Sequence, residues 1–195
     1  MKSVSISGLS RTNVGKKDAK AVRNAGFVPC VLYGGKVQKS FSIKYNDLLP
    51  LVYTPEVLTV DLTIDGTTYK ALMQEIQFNP INDKIVHIDF LEMFDSKPVF
   101  IDIPVHTTGN SIGVKAGGKL VIKMKSLKVK ALPKDLREFI ELDITNLELN
   151  GNLRVQDVNA PNMEILNPAR IPVASVVMTR QLKQEENAAA APAKK

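Results

Sequence analysis

The chain has 195 residues, 44% hydrophobic and 24% charged, which is the balance of an ordinary soluble globular protein with room for one large domain or two modest ones. No apolar run approaches the roughly 20 residues of a membrane-spanning helix, and MKSVSISGLSRT lacks an apolar core of signal-peptide length, so a cytoplasmic protein is expected. Cys30 is the only cysteine, which excludes an internal disulfide and any multi-cysteine zinc site.

The net charge of +6 is unevenly placed. Residues 1–44 hold nine Lys/Arg and one acid, whereas residues 45–95 hold two Lys and nine acids. Folding is therefore expected to give the first half a polarised surface, unless these charges pair with one another. Within Arg11 to Gly35, the cations Arg11, Lys16, Lys17, Lys20 and Arg23 face a single acid, Asp18, with Tyr33 close by. Such a cluster suits a phosphate backbone, and it also suits a plain solvated helix face.

In chain order, Val4-Ser5-Ile6-Ser7 alternates as a strand. A short helix follows, with Asp18 near its start, Ala19, Val22 and Ala25 on one face and Gly26 as its stop. Val28 to Tyr33 is a strand entered through Pro29, with Cys30 as a small buried hydrophobe. Phe41-Ser42-Ile43 alternates, and Asn46 or Asp47 can cap a second short helix through Leu48, Leu49 and Val52. Val57 to Ile64 and Thr67 to Phe78 form a hairpin across Asp65-Gly66, and Ile85 to Met93 is a further strand. This spacing suggests a small barrel.

Asp95 to Pro98 reads as a boundary. Beyond it the pattern is almost wholly β: Val99 to Val105, Lys119 to Leu132, Phe139 to Ile144 and Ile171 to Val177, with Gly113, Gly117 and Gly118 supplying turns. Lys123/Lys125 and Lys128/Lys130 each fall on one strand face, as a phosphate-facing surface or a solvated edge. The expected fold class is mainly β: residues 1–95 as a small barrel with two short helices, 96–182 as an antiparallel β-domain, and 183–195 as a disordered tail.

There is no Gly-rich phosphate loop, nucleophile elbow, HExxH or dinucleotide spacing, so no enzyme, cofactor or metal is expected. His87 and Asp89 share one strand face, with Ile88 and Phe90 on the other. A carboxylate beside an imidazole orients the ring to donate hydrogen bonds, although a histidine serving a neighbouring backbone group is the plainer reading. Gln74 and Gln77 differ by an odd step, so an unbroken strand places them on opposite faces.

Arg11…Gly15-Lys16…Arg23-Asn24-Ala25-Gly26…Pro29…Tyr33-Gly34, then Gln77…Pro80…His87-Ile88-Asp89-Phe90, resembles bacterial large-subunit ribosomal protein twenty-five. Gly113…Ala116-Gly117-Gly118…Leu120, Ala131-Leu132-Pro133 and Glu138-Phe139-Ile140 resemble its longer, two-domain Ctc (general stress protein) form, so the likeness spans about residues 4–180. The resemblance implies a structural protein of the ribosome that binds the loop E region of 5S ribosomal RNA through its barrel. Neighbouring ribosomal proteins are then candidate partners of the second domain. It further implies that Arg11, Lys16, Lys20 and Arg23 meet phosphates, while Tyr33, Gln77, His87 and Asp89 read shape. Phe78 stands where the family commonly has a basic residue, and Ala21 interrupts a usual basic pair. A tRNA-binding module is the alternative, since a related barrel reads anticodons in glutaminyl-tRNA synthetase.

Overall fold

A computed structural model of the chain describes residues 1–35 and 38–180; the tail expected from residue 183 lies outside them. Contacts divide the chain into Met1–Ile101 with Ala131–Glu138, and Asp102–Lys130 with the residues from Phe139 on. The expected mainly β class holds in both units.

The first unit is a closed six-stranded barrel. Its strands are β1 (Ser3–Ser10), β2 (Phe27–Tyr33), β3 (Lys39–Lys44), β4 (Thr59–Ile64), β5 (Thr67–Phe78) and β6 (Ile85–Glu92), in the spatial order β1-β3-β2-β6-β5-β4. Two parallel pairs close it, β1 with β4 and β2 with β6. Alternate residues point inward, so Cys30, Leu32, Ile88 and Phe90 join the core while Val31, Tyr33, His87 and Asp89 lie outside. Phe41 and Phe90 meet at 5.9 Å between ring centroids inside it.

Two turns show why these residues punctuate the chain. Asp65 and Gly66 both adopt positive φ, 51° and 79°, the requirement of a two-residue hairpin whose twist matches its strands. Gly26, at φ 81°, ends the first helix, α1 (Lys16–Asn24), and its N–H donates to Arg23 O at 3.1 Å.

The second helix, α2 (Tyr45–Val52), buries Leu48 and Leu51 in the barrel core. Neither Asn46 nor Asp47 caps it, contrary to expectation: Lys44 is the cap residue and makes no side-chain cap bond. The helix starts directly from the end of β3, and the Tyr45 N–H donates instead to Gly26 O at 3.0 Å.

The second unit has a four-stranded sheet, β10-β7-β9-β12, and a three-stranded one, β11-β13-β8. Their strands are β7 (Val99–Thr108), β8 (Lys119–Ile122), β9 (Ser126–Ala131), β10 (Ile140–Asp143), β11 (Asn152–Arg154), β12 (Glu164–Ile165) and β13 (Pro172–Val177). Most pairs are antiparallel, but β10 runs parallel to β7, with Ile140 opposite Val105. The stretch Lys119 to Leu132 is broken after Ile122, so β8 and β9 enter different sheets. Lys123 and Lys125 therefore lie outside both strands, whereas Lys128 and Lys130 share the face opposite buried Leu127 and Val129. Gly113, expected in a turn, sits in the one-turn helix α3 (Ile112–Lys115), where an added Cβ would lie 2.6 Å from Glu148 C.

Candidate nucleic-acid interface

The outer face of β2, β6 and β5 collects four of the eight residues singled out from the sequence. Gln77 lies directly opposite His87 in the antiparallel β5–β6 ladder. His87 Nδ1 is 2.8 Å from Asp89 Oδ1, and the side chains are 28% and 30% exposed, so the couple is formed yet reachable. Tyr33 lies on the same face of β2, two positions beyond Val31, which is paired with Asp89. Burial raises the Tyr33 phenol above its ordinary pKa, and the nearby charges of Asp89 and Glu75 raise it further. The neutral hydroxyl is thus kept as a donor.

Glu75 was missed by sequence reasoning. It lies opposite Asp89 because β5 shifts register between Met73 and Glu75. Gln74 is the extra residue of that bulge, and its amide donates to Phe100 O at 3.0 Å. The bulge puts Glu75 and Gln77 on the outer face, where an unbroken alternation from core-packed Met73 would turn them inward. Its signature is readable in retrospect, since Met73 and Ile76 both pack against the core although three residues apart.

The cations form a flank to this face. No residue of α1 is buried, and Lys16, Lys17, Lys20 and Arg23 are exposed. Arg23 reaches β6, with Nη1 3.5 Å from Val86 O, one residue before His87. Arg11 is held differently. Its side chain is only 11% exposed, and Nη2 donates to Asp18 Oδ2 at 2.5 Å. Its Nε is buried without a hydrogen-bond partner among the described residues. Arg11 is thus tied to the first turn of α1 instead of standing on the open surface with the other cations.

These groups divide the chemistry of a nucleic acid. The helix cations match phosphates, which set position, while amide, imidazole, carboxylate and phenol groups match base edges and sugar hydroxyls. The carboxylates of Asp89 and Glu75 accept hydrogen bonds and repel phosphates, so this part of the face suits amino groups and 2′-hydroxyls. No cluster of three or more potential metal ligands occurs among the described residues. Nor does any described helix have the length and apolarity to cross a membrane.

Comparison with known proteins shows the family. Residues 6–90 match the model of the Ribosomal L25p family, and residues 98–180 match that of the ribosomal protein TL5 C-terminal domain. The chain is 48% identical over 190 residues to the large ribosomal subunit protein bL25 of Cytophaga hutchinsonii, covering 97% of this chain and 99% of that one. It is 41% identical over 182 residues to the bL25 of Porphyromonas gingivalis and 44% identical over 181 residues to that of Azobacteroides pseudotrichonymphae. In both, 92% of this chain is covered, with 95% and 96% of the respective relatives. An identity of 48% along nearly the whole length, with both family models matched in order, is decisive: the chain belongs to the bL25 family of ribosomal proteins, in its two-domain form.

Proposed function

We propose that the protein is a structural, non-enzymatic component of the large ribosomal subunit, located in the cytoplasm on the ribosome, and that its barrel binds 5S ribosomal RNA at the loop E region. The observation that carries this reading is the outer face where Gln77 pairs with His87 beside Asp89 and Tyr33, flanked by the exposed cations of α1. Lys16, Lys20 and Arg23 take phosphates, while Tyr33, Gln77, His87 and Asp89 read a wide, shallow RNA minor groove. Arg11 supports the flank by holding α1 through Asp18. Residues 1–95 act as the RNA-binding domain, and residues 96–182 are open to neighbouring ribosomal proteins. The names of the relatives support the ribosomal role. No observation favours the tRNA-binding alternative.

The test is filter binding of the purified protein to 5S ribosomal RNA and to tRNA at moderate salt. A clear preference for 5S RNA is expected, and equal affinity for both would defeat the reading.

A further inference from the structure

A groove at one end of the barrel shares only Arg23 with this reading. Its volume is about 920 Å³, within the range of ligand clefts. It lies between the end of α1, the junction of β3 with α2, and the turn joining β5 to β6. Arg23, Lys44 and Lys84 line it against one carboxylate, Asp47. That excess of cations calls for an anionic occupant.

The other groups narrow the occupant. Asn79 Oδ1 accepts from Ile81 N at 3.0 Å, and Asn82 Oδ1 accepts from Lys84 N at 3.2 Å. With those oxygens engaged by backbone, the amide NH2 groups remain as donors, which suit base carbonyls and phosphate oxygens. Phe27 and Tyr45 add half-buried rings to the lining. Cations, amide donors and aromatic surface together match an unpaired nucleotide, whose base is free to stack and to be bonded at its edge. The groove also opens beside the face already described, since Arg23 and Val86 belong to its wall and Val86 adjoins His87.

We propose that this groove seats an unpaired ribonucleotide of a bound RNA, with its phosphate held by Arg23, Lys44 and Lys84 and its base against Tyr45. This rests on the barrel being an RNA-binding module, but not on 5S being the RNA.

The experiment titrates full-length protein with a fluorescent single-stranded RNA about eight nucleotides long and of mixed sequence. The same proteins are titrated in parallel with 5S ribosomal RNA and tRNA. Lys44→Ala/Lys84→Ala is expected to weaken the oligonucleotide about tenfold, whereas Lys70→Ala, an exposed lysine of β5 outside the groove, changes it by less than about twofold. Lys44→Arg/Lys84→Arg keeps the charge and is expected to restore binding to within about threefold. Unchanged binding in the alanine pair, or no binding of the oligonucleotide to the unsubstituted protein, would overturn the proposal. Loss of preference for 5S RNA over tRNA, with the alanine-pair effect intact, would sink the ribosomal reading and leave the groove assignment supported.

Discussion

Gln77 and His87 face each other across the β5–β6 ladder, an amide and an imidazole presented side by side on the outer surface of the barrel. Such a pair discriminates by hydrogen bonding, whereas the helix cations attract any phosphate backbone. His87→Ala is therefore expected to lower the ratio of 5S affinity to tRNA affinity by about tenfold, in line with a lost base-edge contact. Lys16→Ala should weaken both RNAs alike. Competition binding with both RNAs measures the ratio, and a larger loss of discrimination in the lysine variant would reverse the assignment.

The salt dependence of binding counts phosphate contacts. Lys16→Ala/Lys20→Ala is expected to reduce the slope of log affinity against log salt by about 1.5–2, because two fewer counterions are released. Titrations at three or more salt concentrations give that slope. An unchanged slope would mean these exposed lysines do not touch phosphate.

Arg11 and Asp18 predict an effect on stability. Removing the carboxylate in Asp18→Ala leaves a mostly buried guanidinium without its anion. Because Asp18 itself is 36% exposed, the cost is expected to be about 1–2 kcal/mol, less than for a fully buried pair. Lys16→Ala, on the open side of the same helix, should stay within about 0.5 kcal/mol. Urea unfolding of both variants makes the comparison, and equal stability would show that the pair does not anchor α1.

Cys30 gives a pH dependence whose sign can be worked out. Its thiol is completely buried in the barrel core, and burial pushes its pKa well above the ordinary 9.0. Above pH 9 the unfolded chain loses this proton while the folded chain keeps it, so stability falls as pH rises through that window. The contribution is fully present below the unfolded value, and by pH 10 the loss is about 1.4 kcal/mol. Unfolding midpoints of the unsubstituted protein and Cys30→Ala at pH 8 and pH 10 should show a smaller alkaline drop in the variant. Equal drops would place the thiol in a more polar setting.

Much of the barrel was legible because its punctuation is local. Asp65-Gly66 has one favoured backbone solution, and it set the bounds of β5 directly. Gly26 likewise marked the end of α1. What escaped was decided by distant partners. The bulge at Gln74 shows only in the β5–β6 register, and an alternation rule carried across it from Met73 assigns Glu75 to the wrong face. Arg11 reads as one more surface cation until β1 and β3 bring it beside Asp18, with Arg11 N–H donating to Ser40 O. The parallel pairing of β10 with β7 depends on strands separated by β8 and β9, which no local pattern specifies. In the candidate site, the polar residues of one face were visible two apart on β6. Their alignment with Gln77 was visible only through the register.

The parallel pairing of β1 with β4 also bears on how the protein is made. Ser3 pairs with Thr59, so β1 meets this partner only across the two helices and two strands between them. The stave β1 therefore waits for a long stretch of chain, and the ring is complete only once β6 has joined β2 and β5. Such long-range closure is slow compared with forming a local helix. Deleting Ser3 to Ile6 would then remove much of the β1–β4 seam, and chains would linger with an open edge exposed to aggregation.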